Sequence, residues 1–106
     1  MKMHWSEKEL AESWTLNELE LKWVLRHTGS HRFGFAAQFK FFQVDGRFPS
    51  SRKKIPTVAV NHLARQLRVS PKSFSRYSYV GRTAIRDRVL IRDLLDFRQP
   101  TTPFRR

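Results

Sequence analysis

The chain contains no cysteine. That excludes disulfides and removes thiolate from any metal site. No apolar run comes near the roughly 20 residues a membrane-spanning helix needs. The opening stretch, MKMHWSEKEL, is charged and lacks the apolar core of a secretory leader. Glycine is scarce, with four in 106 residues, and neither a glycine-rich phosphate loop nor a nucleophile motif is present. These absences predict a cytoplasmic protein that is not an enzyme, needs no cofactor and takes no small-molecule substrate.

Acidic residues are scarce in one part of the chain only. Residues 1–46 hold six basic and six acidic side chains, whereas residues 47–106 hold 15 basic and three acidic. The whole formal excess of +12 therefore lies in the second part. A chain that tolerates such self-repulsion points to a polyanionic partner, and double-stranded DNA is the expected one.

Strand signals are weak throughout, and helical periodicity predicts an all-α fold, a compact bundle of about six short helices. Ser6 with Glu9, and Thr15 with Glu18, match the reciprocal capping box. The first predicts a short helix ending before Thr15. The second predicts a helix carrying Leu16, Leu19, Trp23 and Val24, with Gly29 as its stop. Residues 30–42, SHRFGFAAQFKFF, are apolar around most of the helical circumference and predict a buried central helix. Gly34 there implies close packing against a neighbour. Trp5, Trp14 and Trp23 are expected to pack in or beside the core. Asp45-Gly46, Pro49 and Pro56 then mark a loop, made basic by Arg52, Lys53 and Lys54.

The next stretch carries the functional expectation. Thr57 is placed as a cap for a helix whose Val60, Leu63, Ala64 and Leu67 share one face. Ser70 is a good N-cap and Pro71 suits the first helical position, so a second short helix is predicted from Pro71 to about Tyr77, anchored by Phe74. Val69 plugs the turn, which has Arg68 where glycine is usual. Two helices so joined make a helix-turn-helix unit at about residues 57–79. In that motif the second helix enters the major groove, which makes Lys72, Ser73, Ser75 and Arg76 candidates for reading base edges. Arg52, Lys53, Lys54, Arg65, Arg68, Ser70, Arg82, Thr83, Arg86 and Arg88 are candidates for phosphate contacts. A last helix follows, with Ile85, Val89, Leu90 and Leu94 as its apolar stripe. Residues 1–98 would form one DNA-binding domain, and 99–106, with two prolines, a tail or linker.

The phrases TLNELEL, RFGFAAQFKFF, GRFP, VNHLARQL and GRT, followed by R, IR and FR, occur in an order that resembles the N-terminal region of the Tn-three family of replicative transposases. The likeness runs over about residues 4–98. It implies a helical module that recognises the terminal inverted repeats of a transposon, in a bacterial, nucleoid-associated setting. It also implies a longer parent protein, with an acidic metal-binding catalytic triad well downstream. Oligomerisation would be possible only through that missing region. On this likeness the chain is expected to be a fragment or truncated product, with no catalytic residue of its own.

Other chemistries find little in the sequence. His27 and His31 are four apart, but Gly29-Ser30 interrupts them and no thiolate completes a set, so no metal is expected. Asp87, Asp93 and Asp96 lie among arginines, and helix-surface ion pairs account for them. Two rival classes remain. One is a protein-interaction module using the aromatic-rich helix 31–42; the other is a basic amphipathic surface over residues 82–95 that meets an anionic membrane.

Overall fold

The computed structural model describes residues 1–79 and 81–98, and the tail expected at 99–106 lies outside them. Five α-helices follow one another: α1 (Glu7–Ser13), α2 (Glu18–Leu25), α3 (Gly29–Asp45), α4 (Thr57–Leu67) and α5 (Arg82–Arg98). Two 3-10 segments, Arg52–Lys54 and Pro71–Arg76, flank α4, and the described residues contain no strand. The all-α expectation is met.

The longest apolar run takes the central position. α3 packs against α2, α4, α5 and the 71–76 segment. Every residue from Phe33 to Phe41 is buried, as expected of a helix that is apolar nearly all round. Trp14, Phe33, Phe35, Phe39, Leu63 and Ile91 are the largest fully buried side chains. Trp5 packs edge-on to Trp14, and Trp23 lies against Phe39, so all three tryptophans are packing residues.

α1 begins as the sequence predicts: Ser6 accepts from the Glu9 amide, and the Glu9 carboxylate accepts from the Ser6 amide. α2 does not. Its N-cap is Asn17, in a capping box with Glu20. Thr15 is committed elsewhere, its hydroxyl 2.7 Å from His62 Nε2 on α4, while the Gln66 side chain holds the backbone of Leu16 at both N–H and C=O. Those tertiary bonds hold residues 15 and 16 outside the helix, and Leu19 is exposed rather than inward. Gly29 opens α3 instead of ending α2, and Pro56 caps α4 with Thr57 as its first residue.

A buried ion pair joins α2 to α3: Lys40 Nζ donates to Glu20 Oε1 at 2.7 Å, and Gln43 donates to Glu20 Oε2 at 2.8 Å. Burial pushes the Glu20 carboxyl upward, but the bonds from Lys40, the Asn17 amide and Gln43 outweigh it and leave it below the ordinary carboxylate range.

α4 buries Val60, Leu63, Ala64 and Leu67 as its periodicity predicts, with Ala59 beside them. It ends on Arg68 at φ 59°, the left-handed region, where a non-glycine residue costs about 1 kcal/mol. The segment after it departs from expectation. Pro71–Arg76 is a six-residue 3-10 helix rather than an α-helix running to Tyr77. The Ser73 hydroxyl donates to the Ser70 carbonyl and the Ser75 hydroxyl to the Lys72 carbonyl. Such local side-chain bonds compete with an α-helical ladder and favour the tighter turn. Phe74 still anchors the segment, 5.0 Å from Phe33 between ring centres, and its burial contributes about 2–3 kcal/mol.

α5 is rotated relative to the predicted stripe. Ile85 and Val89 are 54% and 55% exposed, and Leu90 is exposed too. The inward face is Ala84, Asp87, Arg88 and Ile91, with Leu94 and Leu95 half-buried below. Two polar residues on that face hide it from an apolar-periodicity reading.

Gly34 has the close neighbour its sequence position implies: a Cβ there would overlap the Tyr77 ring. Gly34→Ala is therefore expected to lower the unfolding free energy by at least about 2 kcal/mol, because the ring and its segment must shift. Urea denaturation checks this, and an unchanged midpoint contradicts it.

Candidate nucleic-acid interface

The 71–76 segment carries its cations outward because Phe74 alone faces in. Ser70 caps it through a bond from the Lys72 amide, and Lys72, Ser75 and Arg76 are exposed. The basic loop folds back onto it: Arg52 Nη1 donates to the Ser75 carbonyl at 2.7 Å. Phe48 fixes the root of that loop, stacked on Phe42 at 4.4 Å with the Arg92 guanidinium 5.4 Å above its ring.

Three concavities follow one another around the segment. The first, about 610 Å³, is lined by Arg52, Lys53, Lys72 and Ser75 over an apolar floor that includes Ile55 and Phe74. The second, about 340 Å³, lies across the Arg52–Ser75 bond and adds Arg76 and Ser78. The third, about 280 Å³, shares Arg76 and Ser78 with the second and reaches Arg82 and Thr83 at the start of α5. None of the three has a carboxylate in its lining. Tertiary folding thus gathers cations from three separate sequence stretches around one short segment.

The remaining predicted residues fall in several places. Lys54 faces a different hollow, with Asp45 and Arg47. Arg65, Arg68 and Arg86 are exposed but line none of the three concavities. Ser73 is half-buried, and its hydroxyl proton, like that of Ser75, is used within the segment. Both serines can still accept from a base amine. Arg88 points inward as a strut: Nε donates to Gln38 Oε1 at 2.9 Å and Nη2 to the Tyr79 carbonyl.

Beneath the concavities lies a buried polar network. Asp87, 3% exposed, accepts from the Tyr77 hydroxyl at 2.5 Å. Its two oxygens lie 3.0 Å from His31 Nε2, which carries a proton because a carboxylate can only accept. Gln38 Nε2 donates to the Tyr77 oxygen and to the Ala84 carbonyl. Burial, with Asp87 as acceptor, holds the Tyr77 phenol protonated well above its ordinary value. Asp87 is therefore not the helix-surface ion pair expected of it; α5 turns it inward onto α3. The sequence carried one signal for this network, a glutamine in the middle of an apolar helix, which must find partners when buried.

His27, His31 and Asp87 present donor atoms within 4.8 Å of one another. The rings of His27, in the loop between α2 and α3, and of His31, in the first turn of α3, are 4.3 Å apart. As the structure stands, His31 Nε2 is hydrogen-bonded to both Asp87 oxygens at 3.0 Å, so a metal there would have to replace the Nε2 proton and those bonds. The set acts as the fastening of α3 to α5.

Fold and surface together define a class: a small all-α domain with Arg52, Lys53, Lys72, Arg76 and Arg82 lining hollows around a capped 3-10 segment. The chain belongs to the family described as a domain of unknown function, DUF4158, whose model matches residues 1–106. No curated protein and no solved structure matches it. No helix among the described residues is long and apolar enough to cross a membrane.

Two histidines set a pH dependence. Burial, then the neighbouring His31, depresses the His27 imidazole; burial, then Arg65, depresses that of His62. Both are harder to protonate folded than unfolded, so the unfolded chain binds more protons below its ordinary value of about 6.5. Their contribution is whole above that pH and is lost as pH falls through it. A His27→Gln, His62→Gln double variant is expected to lose less of its urea midpoint between about pH 7.5 and about pH 5.5 than the parent chain. Equal losses contradict the assignment.

Proposed function

We propose that this chain is a double-stranded-DNA-binding module, acting at the terminal inverted repeats of a transposon as the N-terminal region of a Tn-three-type transposase. The carrying observation is the gathering of Arg52, Lys53, Lys72, Arg76 and Arg82 around the 71–76 segment with no carboxylate in the lining. The likeness of residues 4–98 to that family's N-terminal region supports the element and its ends as the target. α4, the turn at Arg68 and the 71–76 segment serve as the helix-turn-helix unit, with a 3-10 segment as its second member. Lys72, exposed in the first turn of that segment, reads base edges; Lys53 on the basic loop holds a phosphate.

The protein-interaction reading loses its surface, since Phe33, Phe35, Phe39 and Phe41 are buried in the chain's own core. The membrane reading keeps one observation: Ile85, Val89 and Leu90 stand exposed on α5 beside Arg82, Arg86 and Arg92. Co-sedimentation with anionic vesicles, without binding to duplex, would favour it.

The test is a fluorescence-anisotropy titration with a duplex carrying the encoding element's terminal repeat, against a scrambled duplex. The repeat is expected to bind at least tenfold tighter. Lys72→Ala narrows that gap, whereas Lys53→Ala weakens both duplexes alike and lowers the salt slope by about 0.9. Equal affinity for the two duplexes contradicts sequence-specific recognition.

A further inference from the structure

The second concavity gathers two guanidinium groups and four serines. It lies between the basic loop and residues 75–79, and its lining sets serines 50, 51, 75 and 78 and the guanidinium-bearing Arg52 and Arg76 beside the rings of Tyr77 and Tyr79. Arg52 is already oriented by its bond to the Ser75 carbonyl, which leaves the rest of its fork for a ligand. The nearest buried carboxylate, Asp87, is occupied by Tyr77 and His31.

Tyr79 supplies an independent observation. It borders this cavity, it is only 5% exposed, and its buried hydroxyl has no hydrogen-bond partner. Its neighbours Tyr77, Gln38 and Arg88 are all satisfied by one another. Burial raises the Tyr79 phenol well above its ordinary value, with the Arg52 and Arg88 charges drawing it partly back, so the hydroxyl stays a donor and lies within their field. A buried hydroxyl without a partner is costly, and a ligand or an ordered water in this cavity would satisfy it.

We infer that the cavity between Arg52 and Tyr79 binds a single phosphate group, held by the Arg52 and Arg76 guanidinium groups and by hydroxyls of Ser50, Ser51, Ser78 and Tyr79. As a source of that phosphate, the backbone of duplex DNA rests on the function proposed above; inorganic phosphate or another phosphate ester has the same chemistry. The assignment moves Arg76 from base reading, where its position in a second helix would place it, to phosphate holding. A forked guanidinium beside several hydroxyls matches the three-fold array of phosphate oxygens better than a base edge.

The full chain, labelled with nitrogen-15, is titrated with inorganic phosphate at low salt and separately with duplex. Phosphate is expected to move the amides of Ser78 and Tyr79 and the Arg76 Nε signal saturably. Arg76→Gln and Ser78→Ala each weaken that binding at least threefold, and Arg76→Lys recovers part of it. Tyr79→Phe raises the melting temperature in phosphate-free buffer yet shrinks the stabilisation by phosphate, a pair of effects that a purely structural tyrosine does not give. On duplex, Arg76→Gln lowers the log–log salt slope by about 0.9, the value for one phosphate. Phosphate shifts that never saturate, or Arg76→Gln and Ser78→Ala variants that bind as the parent does, overturn the site. Saturable phosphate binding in a chain that ignores duplex supports the site and defeats the DNA reading. Duplex binding with an unchanged salt slope in Arg76→Gln overturns the DNA backbone as the source of that phosphate and spares the DNA reading.

Discussion

A buried carboxylate decides where the charged face of this protein stands. Asp87 sits on the inward side of α5, where a lone anion would cost several kcal/mol. His31 and Tyr77 meet it from α3 and from the chain just after the 71–76 segment. The Gln38 side chain, at the middle of α3, then ties Tyr77 to Arg88 and to the Ala84 carbonyl. One network thus joins the three pieces that surround the basic concavities, and its bonds are directional where apolar packing is not. Gly34 completes it sterically, since only the absent Cβ lets the Tyr77 ring lie against α3.

The division of charge along the sequence becomes a division of labour in space. The electrically neutral residues 1–46 supply α1, α2 and the apolar rod α3. The basic remainder wraps around that rod. Holding so many guanidinium groups in one small fold is unfavourable, and the fold manages it in two ways. Arg88 is taken inside and satisfied by Gln38 and Tyr79, while Arg52 is pinned to a backbone carbonyl. Arg65, Arg68, Arg76, Arg82 and Arg86 are exposed to water, where repulsion is screened. Of the cations left facing outward, Arg52 is already oriented by the Ser75 carbonyl, whereas Lys72, Arg76 and Arg82 stand exposed.

Much of this was legible before the structure. The buried run from Phe33 to Phe41, the close approach at Gly34, the capping box at Ser6, and the faces of α4 and Phe74 all follow from periodicity and local chemistry. What was not legible depended on residues distant in sequence. Thr15 reads as a cap, but His62, 47 positions on, claims its hydroxyl. The α5 stripe was read from its apolar residues, and the true inward face holds Asp87 and Arg88, whose partners lie 56 and 50 positions away. Arg88 looked like a phosphate ligand for the same reason. The 3-10 form of residues 71–76 turns on serine hydroxyls folding back to carbonyls three residues earlier. That competition is local, but it is invisible to a reading based on caps and apolar spacing.

The central claim is that the Asp87 network, rather than general apolar packing, fastens the basic segment and α5 to α3. A double-mutant cycle on Tyr77→Phe and Asp87→Asn, followed by urea unfolding, measures it most directly. The account predicts a coupling of at least about 1 kcal/mol between the two positions. Coupling indistinguishable from zero would mean that the carboxylate and the phenol act independently, and the account would be wrong.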